Sequence, residues 1–204
     1  MRKHLYLLLL LLPLLAAIGC GNGGGVGNDE SIGSVSANIN DGWDSLEAGN
    51  FDNAVTKFTN ALSFAEDNSL KTSAKTGLAW SYAKKGDLTN AISTFEDVKN
   101  LNNDANIGLA GAYLARGNPE DFEKAIQLLE HIESYGGGLT TYSSVHTGVS
   151  NAEAYAILAY CHYLNGNEEK AKLNIKTAAQ LDPNNDSVKN ITETLEILGL
   201  TIPK

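Results

Sequence analysis

The chain has only two cysteines in 204 residues, Cys20 and Cys161, too few for the disulfide framework of a small secreted domain. No apolar run reaches the roughly 18 to 20 residues that a membrane-crossing helix needs. The longest, Leu5 to Ile18, has 14 and is interrupted by Pro13. Basic residues are scarce, with 15 Lys and Arg against 24 Asp and Glu and no basic cluster. That excludes a surface built for nucleic acid or for anionic headgroups. The motifs of common enzymes are missing as well. There is no HExxH, no Gly-x-Ser-x-Gly and no GK[ST] after the early glycines. The four histidines, His4, His131, His146 and His162, stand at no metal-binding spacing from a cysteine. No enzyme, cofactor or metal centre is expected.

What is present begins with an export signal. Arg2, Lys3 and His4 precede the apolar run, which ends Ala17-Ile18-Gly19-Cys20. This ending resembles the lipobox of bacterial lipoproteins, with Ala17 where leucine is usual. The resemblance implies cleavage before Cys20 and diacylglycerol on its thiol, with palmitate-type chains entering the bilayer. Residues 1–19 are then the signal peptide. An acylated Cys20 could not bridge Cys161. The same Ala-Ile-Gly would also suit an ordinary signal peptidase, which would leave a soluble periplasmic protein. Loss of Arg2 and Lys3 takes the balance to 13 basic against 24 acidic residues, about −11. The Gly-rich stretch that follows is expected to be a flexible tether over residues 20–34. Gly21 after the cysteine, where aspartate is absent, favours the outer membrane, facing the periplasm.

From about Val35 the sequence repeats. Turn glycines fall at Gly49, Gly86, Gly117 and Gly166. After each comes a helix pattern opened by alanine: Ala54, Ala91, Ala125 and Ala171. Four residues on stand Phe58, Phe95, Leu129 and Ile175, and three further stand Ala61, Val98, Ile132 and Ala178. The spacings between the alanines are 37, 34 and 46 residues. In the preceding helices, Leu78-Ala79-x-x-Tyr82 and Leu109-Ala110-x-x-Tyr113 repeat, and Leu158-Ala159-x-x-His162 keeps the pattern with histidine. The first copy, Asp41-Gly42-x-x-Ser45, is weakest and retains only the small residue. A Leu-Asp-Pro stop at 181–183 and an amphipathic stretch from Ser187 to Leu198 close the series.

This period and pattern resemble the tetratricopeptide repeat. The resemblance implies an all-α fold, a right-handed α-solenoid of about four helix hairpins over residues 35–184, with residues 185–204 as capping helix and tail. One hairpin cannot bury its apolar faces alone, so neighbouring copies must stack. Two departures stand out. Pro119 follows Gly117-Asn118 in a lengthened turn, and residues 136–150 form an insert with Tyr142 and His146 inside it. The insert is expected to be mobile, a functional role through Tyr142 and His146 being the alternative.

The resemblance places ligands against the first helix of each hairpin. Six residues before the turn glycines stand Trp43, Trp80, Gly111 and Tyr160; three before stand Leu46, Ala83, Leu114 and Tyr163. The expected partner groove is therefore Trp43, Leu46, Trp80, Tyr160 and Tyr163, since aromatic anchors often carry recognition. Packing between repeats is the competing role for the tryptophans. Cys161 and His162 fall at packing positions. The chain thus reads as a membrane-anchored scaffold or adaptor in envelope assembly, with a protein or peptide partner and a bilayer held through Cys20. The alternative is a soluble periplasmic binding module for a peptide or glycan.

Overall fold

The computed structural model describes residues 30–135 and 138–202. Cys20, the expected signal segment and most of the Gly-rich stretch lie outside the described residues. Nine α-helices are found among these residues, with one short 3-10 turn at Leu139–Thr141 and no β-strand. They are α1 (Glu30–Glu47), α2 (Phe51–Phe64), α3 (Asn68–Lys85), α4 (Leu88–Glu96), α5 (Asn103–Arg116), α6 (Pro119–Tyr135), α7 (Asn151–Leu164), α8 (Glu168–Leu181) and α9 (Asp186–Ile197). None is long and apolar enough to cross a membrane. The all-α class expected from the sequence is what the structure has. Helix α1 is described from Glu30, five residues before Val35, so residues 30–34 of the expected tether are helical.

Local chemistry sets the helix boundaries. Asn50, Asp67, Asp87, Asn102, Ser150, Asn167 and Asn185 each cap a helix, their side chains accepting from backbone N–H groups of the first turn. Ser150 and Glu153 complete a reciprocal capping box at the start of α7. At the turn inside each hairpin the glycine takes a left-handed conformation, with φ between 75° and 86°. Gly86 ends α3 in this way, and the Asp87 N–H then reaches back to the Tyr82 carbonyl at 2.9 Å. Pro119 is the first residue of α6, where its missing N–H has no helical partner to lose.

The chain divides after Leu101 into two compact units. In the first, described from residue 30, α1/α2 and α3/α4 are antiparallel hairpins. Ala54, Phe58 and Ala61 of α2, and Ala91, Phe95 and Val98 of the second hairpin, are all buried, as the in-phase pattern requires. Phe58 lies so close to α1 and α3 that glycine is needed at 42 and 77. Lys57 pairs with Asp41 at 2.6 Å and Lys75 with Asp97 at 2.7 Å, and Lys85 with Asp52; all are exposed ties of small energetic weight.

The second unit, described to residue 202, holds the hairpins α5/α6 and α7/α8 and the closing helix α9. Ala125, Leu129 and Ile132 of α6 and Ala171, Ile175 and Ala178 of α8 are buried. Helix α9 buries Val188, Ile191 and Leu195, close to the expected cap at Ser187 to Leu198. It lies along α7, where Ser187 Oγ donates to Glu153 Oε1 at 2.8 Å near one end. At the other end Tyr163 Oη donates to the Leu198 carbonyl at 2.6 Å. Residues 138–150 are not the mobile insert expected. Leu139, Tyr142, Thr147 and Val149 are buried, and a single antiparallel bridge joins Ser143 to Ser150. Apolar anchors spaced along the segment, together with its polar ties to α5 and α6, hold it down.

Candidate functional site

The five residues expected to line a groove are distributed over both units. Trp43, Leu46 and Trp80 belong to residues 30–101, and Tyr160 and Tyr163 to residues 102–202. The tryptophans are 5% and 4% exposed. Trp43 meets Phe58 edge to face, with centroids 5.1 Å apart, and Trp80 meets Phe95 the same way at 5.7 Å. Each tryptophan thus packs on the large residue of its own hairpin's second helix. Leu46 and Tyr160 are buried too, and Tyr163 is half-buried with its hydroxyl engaged by Leu198. Four of the five expected groove residues are thus covered side chains. The physical reason is that an aromatic ring long enough to face a partner is also long enough to reach the adjacent helix.

The polar constellation of the second unit lies at the insert. Asp104, in the first turn of α5, accepts a hydrogen bond of 2.5 Å from Tyr142 Oη. Burial, followed by the Asp104 carboxylate, pushes the Tyr142 phenol well above its ordinary range, so it remains a donor. Glu133 of α6 accepts from the Leu139 N–H at 2.7 Å and from Tyr155 Oη at 3.0 Å. Tyr155 Oη also lies 3.3 Å from Thr140 Oγ1, and Asn151 Nδ2 donates to the Thr140 carbonyl at 2.5 Å. Two carboxylates, from α5 and α6, therefore hold one loop. The tip of that loop points outward: Val145 is 84% exposed.

Sequence reasoning picked out Tyr142 but missed Asp104 and Glu133. A signal existed. Counting five residues back from the large member of the large-small pair, Leu109 leads to Asp104 and Leu158 leads to Glu153. Both acids occupy one register, and both accept a hydroxyl from a later stretch of chain, Tyr142 and Ser187 respectively.

His162 and Cys161 take the packing roles expected of them. His162 is 3% exposed; its Nε2 has no hydrogen-bond partner and lies 3.6 Å from Glu130 Oε1. Desolvation, helped by Lys170, lowers its pKa despite the opposing pull of Glu130 and Glu123. Cys161 is buried and unpaired, and burial pushes its thiol up to about 12. Among the described residues no group of His, Cys, Asp and Glu is arranged to hold a metal ion.

Residues 41–100 match one model of the tetratricopeptide repeat and residues 152–185 match another. A solved structure of similar fold is a thermophilic tetratricopeptide-repeat protein, TTC0263, of Thermus thermophilus. It shares 20% sequence identity with this chain at a TM-score of 0.61, covering 81% of this chain and 83% of that one. No curated protein matches the sequence significantly. The chain therefore carries tetratricopeptide repeats in both of its units, and its fold is of the α-solenoid type. Such repeats mediate protein–protein interactions and are typically non-catalytic.

Proposed function

We propose that the protein is a lipid-anchored scaffold of the bacterial cell envelope, acylated at Cys20. In this reading its repeats gather protein partners at the periplasmic face of the outer membrane during envelope assembly. The observation that carries the proposal is the order of parts. A lipobox-like Ala17-Ile18-Gly19-Cys20 is followed by a Gly-rich stretch and then, from Glu30, by tetratricopeptide helices. Acyl chains contribute about 0.8 kcal/mol per buried CH2, so several together are enough to hold a protein to a bilayer. A tether of residues 21–29 spans roughly 16 Å on average and at most roughly 30 Å. The repeats would sit close above the lipid with freedom to turn toward a partner. Their acidic surface suits this placing, since it would not adhere to anionic headgroups.

The alternative of a soluble module for a peptide or glycan leans on exposed aromatic rings, and the packing of Trp43 and Trp80 weakens it. Radiolabelled palmitate, followed by membrane fractionation, tests the anchor in wild type and Cys20→Ala. Label in membrane-bound wild type, absent from the variant, is expected. Unlabelled wild type in the soluble fraction would refute the anchor.

A further inference from the structure

The loop over residues 138–150 carries an inference of its own, independent of the anchor. It is a segment that opens on the 3-10 turn Leu139–Thr141, folds back so that Ser143 meets Ser150, and is attached to the helices at few points. Leu139, Tyr142 and Val149 insert apolar groups, while Asp104 and Glu133 supply the carboxylates. Apart from the single bridge between Ser143 and Ser150, its backbone belongs to no regular ladder. This is how a peptide ligand is held by a helical repeat: side-chain anchors in pockets and a few directed polar contacts. The register agrees, because Asp104 is the counterpart of Glu153, and Glu153 receives Ser187 from α9. In both hairpins of the unit, this acidic position takes a hydroxyl from a segment laid across the first helix.

We propose that the surface formed by Asp104 of α5, Glu133 of α6 and Tyr155 of α7 is a peptide-binding site for a turn-forming segment bearing a tyrosine. The chain's own residues 138–150 occupy it and act as a built-in competitor. The ligand class follows from the contacts. Asp104 requires a donor at the end of a rigid, buried, largely apolar group, which a tyrosine provides and phenylalanine or serine does not. Glu133 takes the backbone N–H of Leu139, three residues earlier and across the 3-10 turn Leu139–Thr141, which sets the direction of the segment. A tethered loop competes at an effective concentration of the order of millimolar. A free partner therefore binds the closed protein more weakly, in proportion to the small fraction of molecules that are open.

The test uses the full chain and a fluorescent synthetic peptide with the sequence of residues 138–150. Anisotropy titration of the Tyr142→Ala protein should show saturable binding at least about tenfold tighter than to wild type. Replacing the tyrosine of the peptide by phenylalanine, or adding Asp104→Ala to the protein, should weaken it about tenfold or more. Equal affinity for wild type and Tyr142→Ala would overturn the proposal, as would no saturable binding to a variant whose circular dichroism is unchanged. Should Tyr142→Ala lose its helical signal, hydrogen exchange of wild type decides. Millimolar peptide is expected to speed exchange at residues 143–149 and leave α5 and α7 protected. Unchanged exchange there would overturn it equally.

Discussion

The ring of Phe58 fills the space that a side chain on residue 77 would need. A Cβ built on Gly77 falls inside the van der Waals envelope of the ring, and one on Gly42 would lie 2.8 Å from it. Phe58 of α2 is thus wedged between α1 and α3 at two bare backbones. Gly77→Ala is expected to destabilise the first unit by about 1–3 kcal/mol through overpacking. Gly111 of α5 gives the contrast, because a Cβ there meets nothing within 4 Å. Gly111→Ala should instead stabilise its helix by about 0.5–1 kcal/mol. Urea midpoints of the two variants check both signs; equal effects would contradict the packing account.

Asp121 is fully buried and held by one arginine. Arg116 Nε and Nη2 donate to its two oxygens at 2.7 and 2.6 Å, and Lys124 stands 3.5 Å away. Arg116 and Lys124 also lie over the Tyr113 ring, at 5.3 and 5.4 Å from its centroid. Arg116→Ala leaves a buried carboxylate without its fork. A loss of about 3 kcal/mol is expected, at the lower end for a buried pair because the guanidinium keeps partial access to water. Exposed pairs such as Lys57–Asp41 should cost under about 1 kcal/mol when broken. Chemical denaturation of Arg116→Ala and Lys57→Ala distinguishes them.

His162 makes the second unit sensitive to acid. Its folded pKa lies below the ordinary value of 6.5, so the unfolded chain takes up the proton more readily. The contribution is fully present above pH 6.5 and is lost as the pH falls below it toward the depressed folded value. His162→Tyr places at this position the residue found at Tyr82 and Tyr113, without the titration. Between pH 7 and 5 the wild type should lose more stability than His162→Tyr, measured by thermal unfolding. Parallel curves would remove His162 as the cause.

Cys161 should resist alkylation in the native protein, since its thiol is buried and titrates near 12. Iodoacetamide at pH 8, read by mass spectrometry, is expected to modify it only after unfolding. Rapid modification of the folded protein would mean that α7 opens locally.

Much of the architecture was legible because small and large side chains alternate at fixed intervals. Ala54, Phe58 and Ala61 recur as Ala171, Ile175 and Ala178, and both sets are buried. The left-handed turn glycines could be read with equal ease, since few other residues tolerate φ near 80°. The role of the tryptophans was not legible. At one residue per repeat, the same spacing fits an open anchor and an interhelical plug, and only the proximity of Phe58 and Phe95 decides between them. The insert was illegible for another reason. Leu139, Tyr142 and Val149 follow no helical or strand period, and their partner Asp104 lies 38 residues before Tyr142. The early start of α1 was hidden by the glycines that precede Asp29 and Glu30, although acidic residues suit a helix N-terminus.

Crosslinking in intact cells tests the central claim, a lipid-anchored protein scaffold, most directly. Wild type and Cys20→Ala are crosslinked, purified under denaturing conditions and compared by quantitative mass spectrometry. The account predicts defined envelope polypeptides joined to the repeats of the wild type and strongly depleted from the unacylated variant. Identical polypeptide crosslinks from both forms, or none from either, would contradict it.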